Sequence, residues 1–163
     1  MAGKGHVFVQ KGHPLSTGFP SRVQDRGTGL VFASAEHYFQ YKRLTSDAVK
    51  PREKGVQLAR ELAVGGLFGG IPAANLKDRL GESIRKGEFV FDVEIWRGQF
   101  VGHMYHVLVA RQQQDGLFAN TLFVNKGKEF VVVDQDKKNM AFWVNKQGEL
   151  QGVNLLGVML SVL

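Results

Sequence analysis

The sequence predicts a single, mainly α-helical domain over residues 1–163, with a few short β-strands. Three observations carry this. The length suits one domain. Apolar residues recur at helical spacing through the middle of the chain, as in Leu76, Leu80 and Ile84 and again in Val93, Trp96, Phe100, Met104 and Val107. Short β-prone apolar runs stand towards either end, Val7-Phe8-Val9 and Phe130-Val131-Val132-Val133. At 44% hydrophobic and 22% charged residues, the composition excludes a disordered, collagen-like or coiled-coil chain.

In chain order, residues 6–32 read as short strands and turns. Gly12-His13-Pro14 breaks the first strand, and Gly27-Thr28-Gly29 turns the chain before Leu30-Val31-Phe32. Ser34 is placed to cap a helix that carries Glu36 in its first turn and continues through Tyr38, Phe39 and Lys42. Lys50-Pro51-Arg52-Glu53-Lys54 reads as a solvated loop, and a second helix is expected over about 54–64, stopped by Gly65-Gly66. Gly65-Gly66-Leu67-Phe68-Gly69-Gly70 reads as a flexible apolar connector; it lacks the Lys-Ser/Thr of a phosphate loop. Pro72 suits the first turn of a third helix. The long helix that includes Trp96 and Arg111 contains Gly98 and Gly102, each costing about 1 kcal/mol relative to alanine, so compensating packing is expected around them. Phe130–Val133 and Ala141–Val144 are expected to pair as strands, with Asp134–Lys138 as a solvated loop between them. Asn154 is expected to cap a last helix over 155–162, apolar nearly all round and therefore buried.

Lysine and arginine number 21 against 15 acids, a formal net charge of +6. Such a surplus favours a polyanionic partner, nucleic acid or a phosphate-bearing substrate, although solubility alone accounts for it about as well. No cysteine is present, which excludes disulfides, thiolate metal sites and a cysteine nucleophile. No run approaches the ~20 apolar residues of a membrane span. The start, Met1 to Val7, has no apolar signal-peptide core, so the expected location is the cytoplasm, or a host cytoplasm for a viral source.

Phe32-Ala33-Ser34-Ala35-Glu36-His37-Tyr38-Phe39-Gln40-Tyr41-Lys42 is the most distinctive segment. It resembles the signature of the NADAR (YbiA-like) family: an aromatic, a small residue, Glu-His-Tyr-Phe-Gln, and a lysine two residues on. Asn154-Leu155-Leu156-Gly157 is similar to that family's Asn-x-Leu-Gly ending. Trp96, Met104, Ala110 and Arg111 fall at the spacings of the family's Trp, Met, Ala and Lys. The resemblance covers roughly residues 7–163. It implies a mainly helical fold with few strands and N-glycosidic chemistry, one branch cleaving phosphorylated riboflavin-pathway intermediates and another removing ADP-ribose from guanine bases in nucleic acid. The chain departs from the pattern at several places, among them Val144 where the family has a glycine, Val133-Asp134-Gln135 in place of its Leu-Val-Glu element, and a longer stretch from Gln40 to Trp96. Leu15-Ser16-Thr17-Gly18-Phe19 has no asparagine where the family has Ser-Asn-Phe, and Met140 stands where the family has an aspartate before Trp143.

Cleaving a ribose–base bond develops positive charge at the anomeric carbon, which a carboxylate stabilises. Glu36 is the first candidate. With Gln40 and Arg43 it shares one helix face, at i, i+4 and i+7. Gln40 is then a candidate for a sugar hydroxyl or the base edge, and Arg43 for a phosphate. A first-turn acid also simply favours a helix N-terminus. Lys42 offers a second route, since a lysine amine can attack a ring-opened ribose aldehyde to form a Schiff base. It lies about 120° from Glu36 around the helix, and a solvated lysine is an equally good reading. Phe19, Trp96 and Trp143 are candidates to stack on a base, against core packing. Phe32, His37 and Asn154 complete the substrate-binding set, His37 against a hydrogen-bonded structural role and Asn154 against a helix cap. His103 and His106 are three apart, but no third ligand stands at metal spacing, so neither metal nor cofactor is expected. The expected partners are an ADP-ribose-containing substrate and DNA or RNA. A module that binds ADP-ribose or a nucleotide without turnover is the competing reading.

Overall fold

The computed structural model describes residues 5–87 and 89–163. In chain order its elements are β1 (His6–Val9), β2 (Pro20–Gln24), β3 (Val31–Ser34), α1 (Ala35–Leu44), β4 (Val49–Lys50), α2 (Arg52–Arg60), α3 (Ala73–Lys86), β5 (Val90–Phe91), α4 (Val93–Gln114), α5 (Gly116–Val124), β6 (Glu129–Val132), a 3₁₀ turn (Gln135–Lys137), β7 (Phe142–Val144), β8 (Leu150–Gly152) and α6 (Leu155–Val162). Helix therefore predominates, and the strands are short. Each strand has a single partner, so the described residues form four two-stranded sheets. No helix among these residues is long and apolar enough to cross a membrane. The chain divides into two compact units, Pro20–Asp115 and a discontinuous one made of Met1–Phe19 with Gly116–Leu163.

Within Pro20–Asp115, β2 and β3 form an antiparallel hairpin, with Val23 opposite Phe32 and Gln24 opposite Val31. Asp25 organises the turn: its carboxylate accepts from the Thr28 amide at 3.0 Å and the Thr28 hydroxyl at 2.7 Å. Strand β3 runs straight into α1, where Ser34 Oγ caps the helix by accepting from the His37 amide. Helices α1 and α4 pack on one another, with Phe39 against Trp96 and Tyr38 against His106, and both helices contribute buried residues, Tyr38 and Phe39 from α1 and Met104, Val107 and Leu108 from α4.

Several expectations need correction here. The segment from Arg52 is helical rather than looped: α2 starts at Arg52 and ends at Arg60, because residues 61–71 wind into hydrogen-bonded turns instead. The glycine-rich stretch is accordingly a folded loop. The Phe68 amide bonds the Glu61 carbonyl and the Leu67 amide bonds the Glu61 carboxylate at 2.8 Å. A Cβ at Gly69 would overlap the Ala63 carbonyl and one at Gly66 the Glu61 carbonyl, so these two glycines serve close packing, while Gly65 supplies a left-handed backbone, φ 92°. Pro72 sits at the N-cap of α3, one position before its first turn. Nothing packs where a Cβ at Gly98 or Gly102 would stand. Alanine at either position should therefore stabilise the protein by about 0.5–1 kcal/mol each; denaturant melts showing destabilisation would contradict this open-face placement.

In the discontinuous unit, the expected pairing of 130–133 with 141–144 is replaced. Strand β6 pairs in parallel with β1, His6 opposite Glu129 through Val9 opposite Val132. Strand β7 pairs antiparallel with β8. A single bridge, Val133 to Phe142, remains of the expected contact. The 134–138 segment is not a solvated loop: it holds the 3₁₀ turn, whose N-terminus the Asp134 side chain caps, and Lys137 is buried. Helix α6 buries Leu156, Gly157, Met159 and Leu160 but leaves Val158 and Val162 more than half exposed, so only one face meets β6.

Candidate active site

Helix α1 carries five of the ten predicted site residues, Glu36, His37, Gln40, Lys42 and Arg43. His37, 3% exposed, is tied at every polar atom. Its Nε2 lies 3.2 Å from the Phe68 carbonyl and 3.0 Å from that of Ile71. Carbonyls only accept, so Nε2 bears the proton and Nδ1 accepts from Ser34 Oγ at 2.7 Å. Expected as a substrate ligand, His37 instead pins the 65–71 loop to α1. Phe32, also expected to touch substrate, is 0% exposed and stacked on Tyr38 at 4.9 Å, which makes it part of the core.

Glu36, Gln40 and Arg43 form the face that their spacing implies. Gln40 Nε2 donates to Glu36 Oε1 at 2.8 Å, and Arg43 Nη1 donates to Gln40 Oε1 at 3.1 Å. The amide thus relays between a carboxylate 7% exposed and a guanidinium. Burial lowers the Arg43 pKa, while the Glu36 charge works against that fall. The guanidinium lies 4.6 Å from the centre of the Phe91 ring.

Lys42 stands elsewhere on the helix, as the 120° offset requires. Its Nζ is 4.0 Å from Asp25 Oδ1 and 5.3 Å from the centre of the Tyr38 ring. An aromatic cluster centres on Trp96. Trp96, half-buried, meets Phe39 at 5.5 Å, Phe91 at 6.3 Å and Phe100 at 6.5 Å, and stacks on His103 at 5.5 Å. His106 approaches Tyr38 edge-on. Asp25 lies outside the set expected from the sequence, which assigns the turn to Gly27-Thr28-Gly29 alone. The sequence weighs His103 and His106 only as a metal pair, because their placement near Lys42 and Tyr38 joins positions more than 60 residues apart. Among the described residues, no group of three or more His, Asp or Glu is placed to hold a metal ion.

Three predicted site residues belong to the discontinuous unit. Phe19 is half-buried at the end of a turn closed by its amide on the Ser16 carbonyl. Trp143 is half-buried on β7, with Lys138 Nζ 4.6 Å from its ring centre. Asn154 occupies the N-cap position of α6, but its side chain makes no capping bond. Both ends of its amide serve β6 instead: Nδ2 donates to the Phe130 carbonyl at 2.7 Å, and Oδ1 accepts from the Val132 amide at 3.0 Å. A Cβ at Gly157 would overlap that same Phe130 carbonyl. The Asn154–Gly157 ending is therefore a clamp that lets α6 lie against β6.

Histidine burial sets an acid sensitivity. Desolvation lowers the pKa of His13, His37, His103 and His106, and the Lys42 charge adds to the fall at the last two. As pH falls through about 6.5, the unfolded chain therefore takes up protons before the folded one. This contribution to stability is complete above that pH and is lost on going below it. At Asp25 burial acts upwards, but the Thr28 and Tyr38 hydrogen bonds and Lys42 outweigh it and hold the carboxyl below its ordinary value. Its contribution is present above the usual carboxylate range and is lost as pH falls through the lowered value. Melting temperature should fall between pH 7.5 and 5, and a flat profile would contradict the histidine assignment.

No protein-family model matches the chain, and no curated protein matches it either.

Proposed function

We propose that this protein is an N-glycosidase with a YbiA-like fold, which removes ADP-ribose, or a ribosyl phosphate, from a base, with ADP-ribosylated guanine in nucleic acid as the favoured substrate. The observation that carries the reading is the Glu36–Gln40–Arg43 relay, which sits within the segment that resembles the NADAR signature. A carboxylate held by a neutral amide is oriented to stabilise a developing oxocarbenium ion. In this reading the C1–N bond breaks with its electron pair leaving on the base. Water then adds to C1, and its proton ends on the released base. Arg43 supplies the cation for a phosphate, and Trp96 the adjoining ring. The basic surplus leans towards nucleic acid over a free metabolite.

Lys42 gives the same reaction a covalent route. Its amine attacks C1 as the C1–N bond breaks with its electron pair leaving on the base, which takes a proton from the amine; the sugar ring then opens, its oxygen taking the remaining amine proton, to leave an imine that water hydrolyses to free the sugar and Lys42. Borohydride added during turnover would reduce that imine to a stable sugar–protein adduct, absent in Lys42→Ala. Robust base release without an adduct by mass spectrometry leaves direct hydrolysis through Glu36.

One observation favours the alternative, an ADP-ribose- or nucleotide-binding module without turnover. Met140, at the position where the resemblance expects an aspartate, is 3% exposed and offers no charge. The test is the initial rate of base release, by chromatography, from ADP-ribosylated guanine DNA and from phosphorylated riboflavin-pathway ribosides. A thermal shift with ADP-ribose is measured alongside. Release supports the enzyme, a shift without release supports the module, and neither response at millimolar ligand removes both.

A further inference from the structure

Lys42 is the long flexible side chain in this set, and a free lysine samples many rotamers. Here its ammonium has a defined setting. Asp25 Oδ1, 4.0 Å away, also accepts from Tyr38 Oη at 2.7 Å, while Asp25 Oδ2 is held by the Thr28 amide and hydroxyl. The carboxylate is thus buried and fixed by three hydrogen bonds before the lysine is counted. Tyr38 contributes twice, its hydroxyl orienting Asp25 and its ring face lying beneath Nζ. The other titratable groups that feel the Lys42 charge are His103 and His106 on α4, while Tyr41 on α1 feels Asp25 and Arg60. Burial works against charging either histidine, so Asp25 is the fixed counter-charge of the group.

We propose that Asp25, set by Thr28 and Tyr38, is the positioning residue of Lys42, fixing Nζ at one place beside the Trp96–His103 stack where it meets the sugar of the substrate. The part concerning substrate rests on the N-glycosidase reading; the part concerning Nζ does not. The arrangement also gives the Asp25–Thr28 turn a purpose beyond closing the β2–β3 hairpin, because many other sequences close such a turn without a buried carboxylate.

The experiment follows the Lys42 ammonium by ¹⁵N–¹H spectroscopy in the full chain, assigned with Lys42→Met, in wild type and Asp25→Asn. A held ammonium exchanges its protons slowly. The expected result is a resolved Lys42 resonance in wild type that exchanges faster in Asp25→Asn. In the base-release assay, kcat should fall by up to about 10²-fold with KM nearly unchanged, the pattern of a misplaced reacting group. A folded Asp25→Asn with unchanged ammonium exchange overturns the proposal, whatever the base-release rate. If wild type releases no base while the exchange difference stands, the glycosidase reading fails and the Asp25–Lys42 positioning survives. Should Asp25→Asn not fold, Lys42→Met reports the same contact from the other side. Removing the ammonium should raise the Asp25 titration, followed by carboxyl ¹³C shifts, and an unmoved titration overturns the proposal.

Discussion

Glu36→Gln should fold normally and lose about 10²–10³-fold in the rate of base release, the scale expected for one preorganised electrostatic group. The substitution keeps the shape of the side chain and removes only its charge. Gln40 Nε2 donates to Glu36 Oε1 in the native protein, and the new amide oxygen can accept the same bond. The helix start is unaffected, because the cap is made by Ser34. What disappears is the negative charge that a cationic transition state needs, together with the attraction between Glu36 and Arg43. The measurement pairs initial rates with a melting curve. A variant that melts like wild type and turns over at the wild-type rate would remove Glu36 from the mechanism.

The second large effect is on stability. Arg111→Ala should cost about 3–5 kcal/mol, the range for removing one partner of a buried ion pair. Arg111 is 0% exposed, with Nε 3.3 Å from Ser21 Oγ and 3.5 Å from Asp115 Oδ2. Ser21 Oγ in turn donates to the same Asp115 oxygen at 2.6 Å. Burial brings the guanidinium down to about 10, against the pull of Asp115, so the group stays charged at neutral pH. Alanine would leave both a cavity and a carboxylate stripped of its cation. Arg111→Met fills the volume without charge and should cost distinctly less. Urea unfolding of the two variants decides it: a loss below about 1 kcal/mol for alanine would show that the pair contributes little.

The helix from Ser34 was legible in the sequence because its cap, first-turn acid and i, i+4, i+7 polar face are all local signals, and its side chains bond as that spacing implies. Strand pairing was not legible. β6 meets β1, and nothing in either four-residue run marks the other as its partner. Helix α5 escaped notice because Gly116–Val124 is apolar on nearly every side, which leaves no polar face to set a period. Asn154 was correctly placed at a helix start. Its partners are backbone groups more than 20 residues away, so its amide role lay beyond local reasoning. The same holds for His37, whose neighbours in sequence give no sign that its ring would close a loop 31–34 residues downstream. Arg111 was read at a motif position, but its complete burial depends on Ser21, 90 residues before it.

The parallel pairing of β1 with β6 has a consequence for synthesis on the ribosome. The two strands are separated by about 120 residues, so at roughly 5–20 residues per second β1 waits some 6–25 s for its partner. Pro20–Asp115 emerges whole during that interval and holds its own hairpin, capped helix and buried ion pair. The nascent chain therefore passes through a stage in which β1, including the outward-facing Phe8, trails as an unpaired edge ahead of the compact Pro20–Asp115 unit. That stage is where a chaperone would bind this protein and where overexpression would drive it to aggregate, so slower translation should harm its yield more than that of a chain whose strands pair with near neighbours.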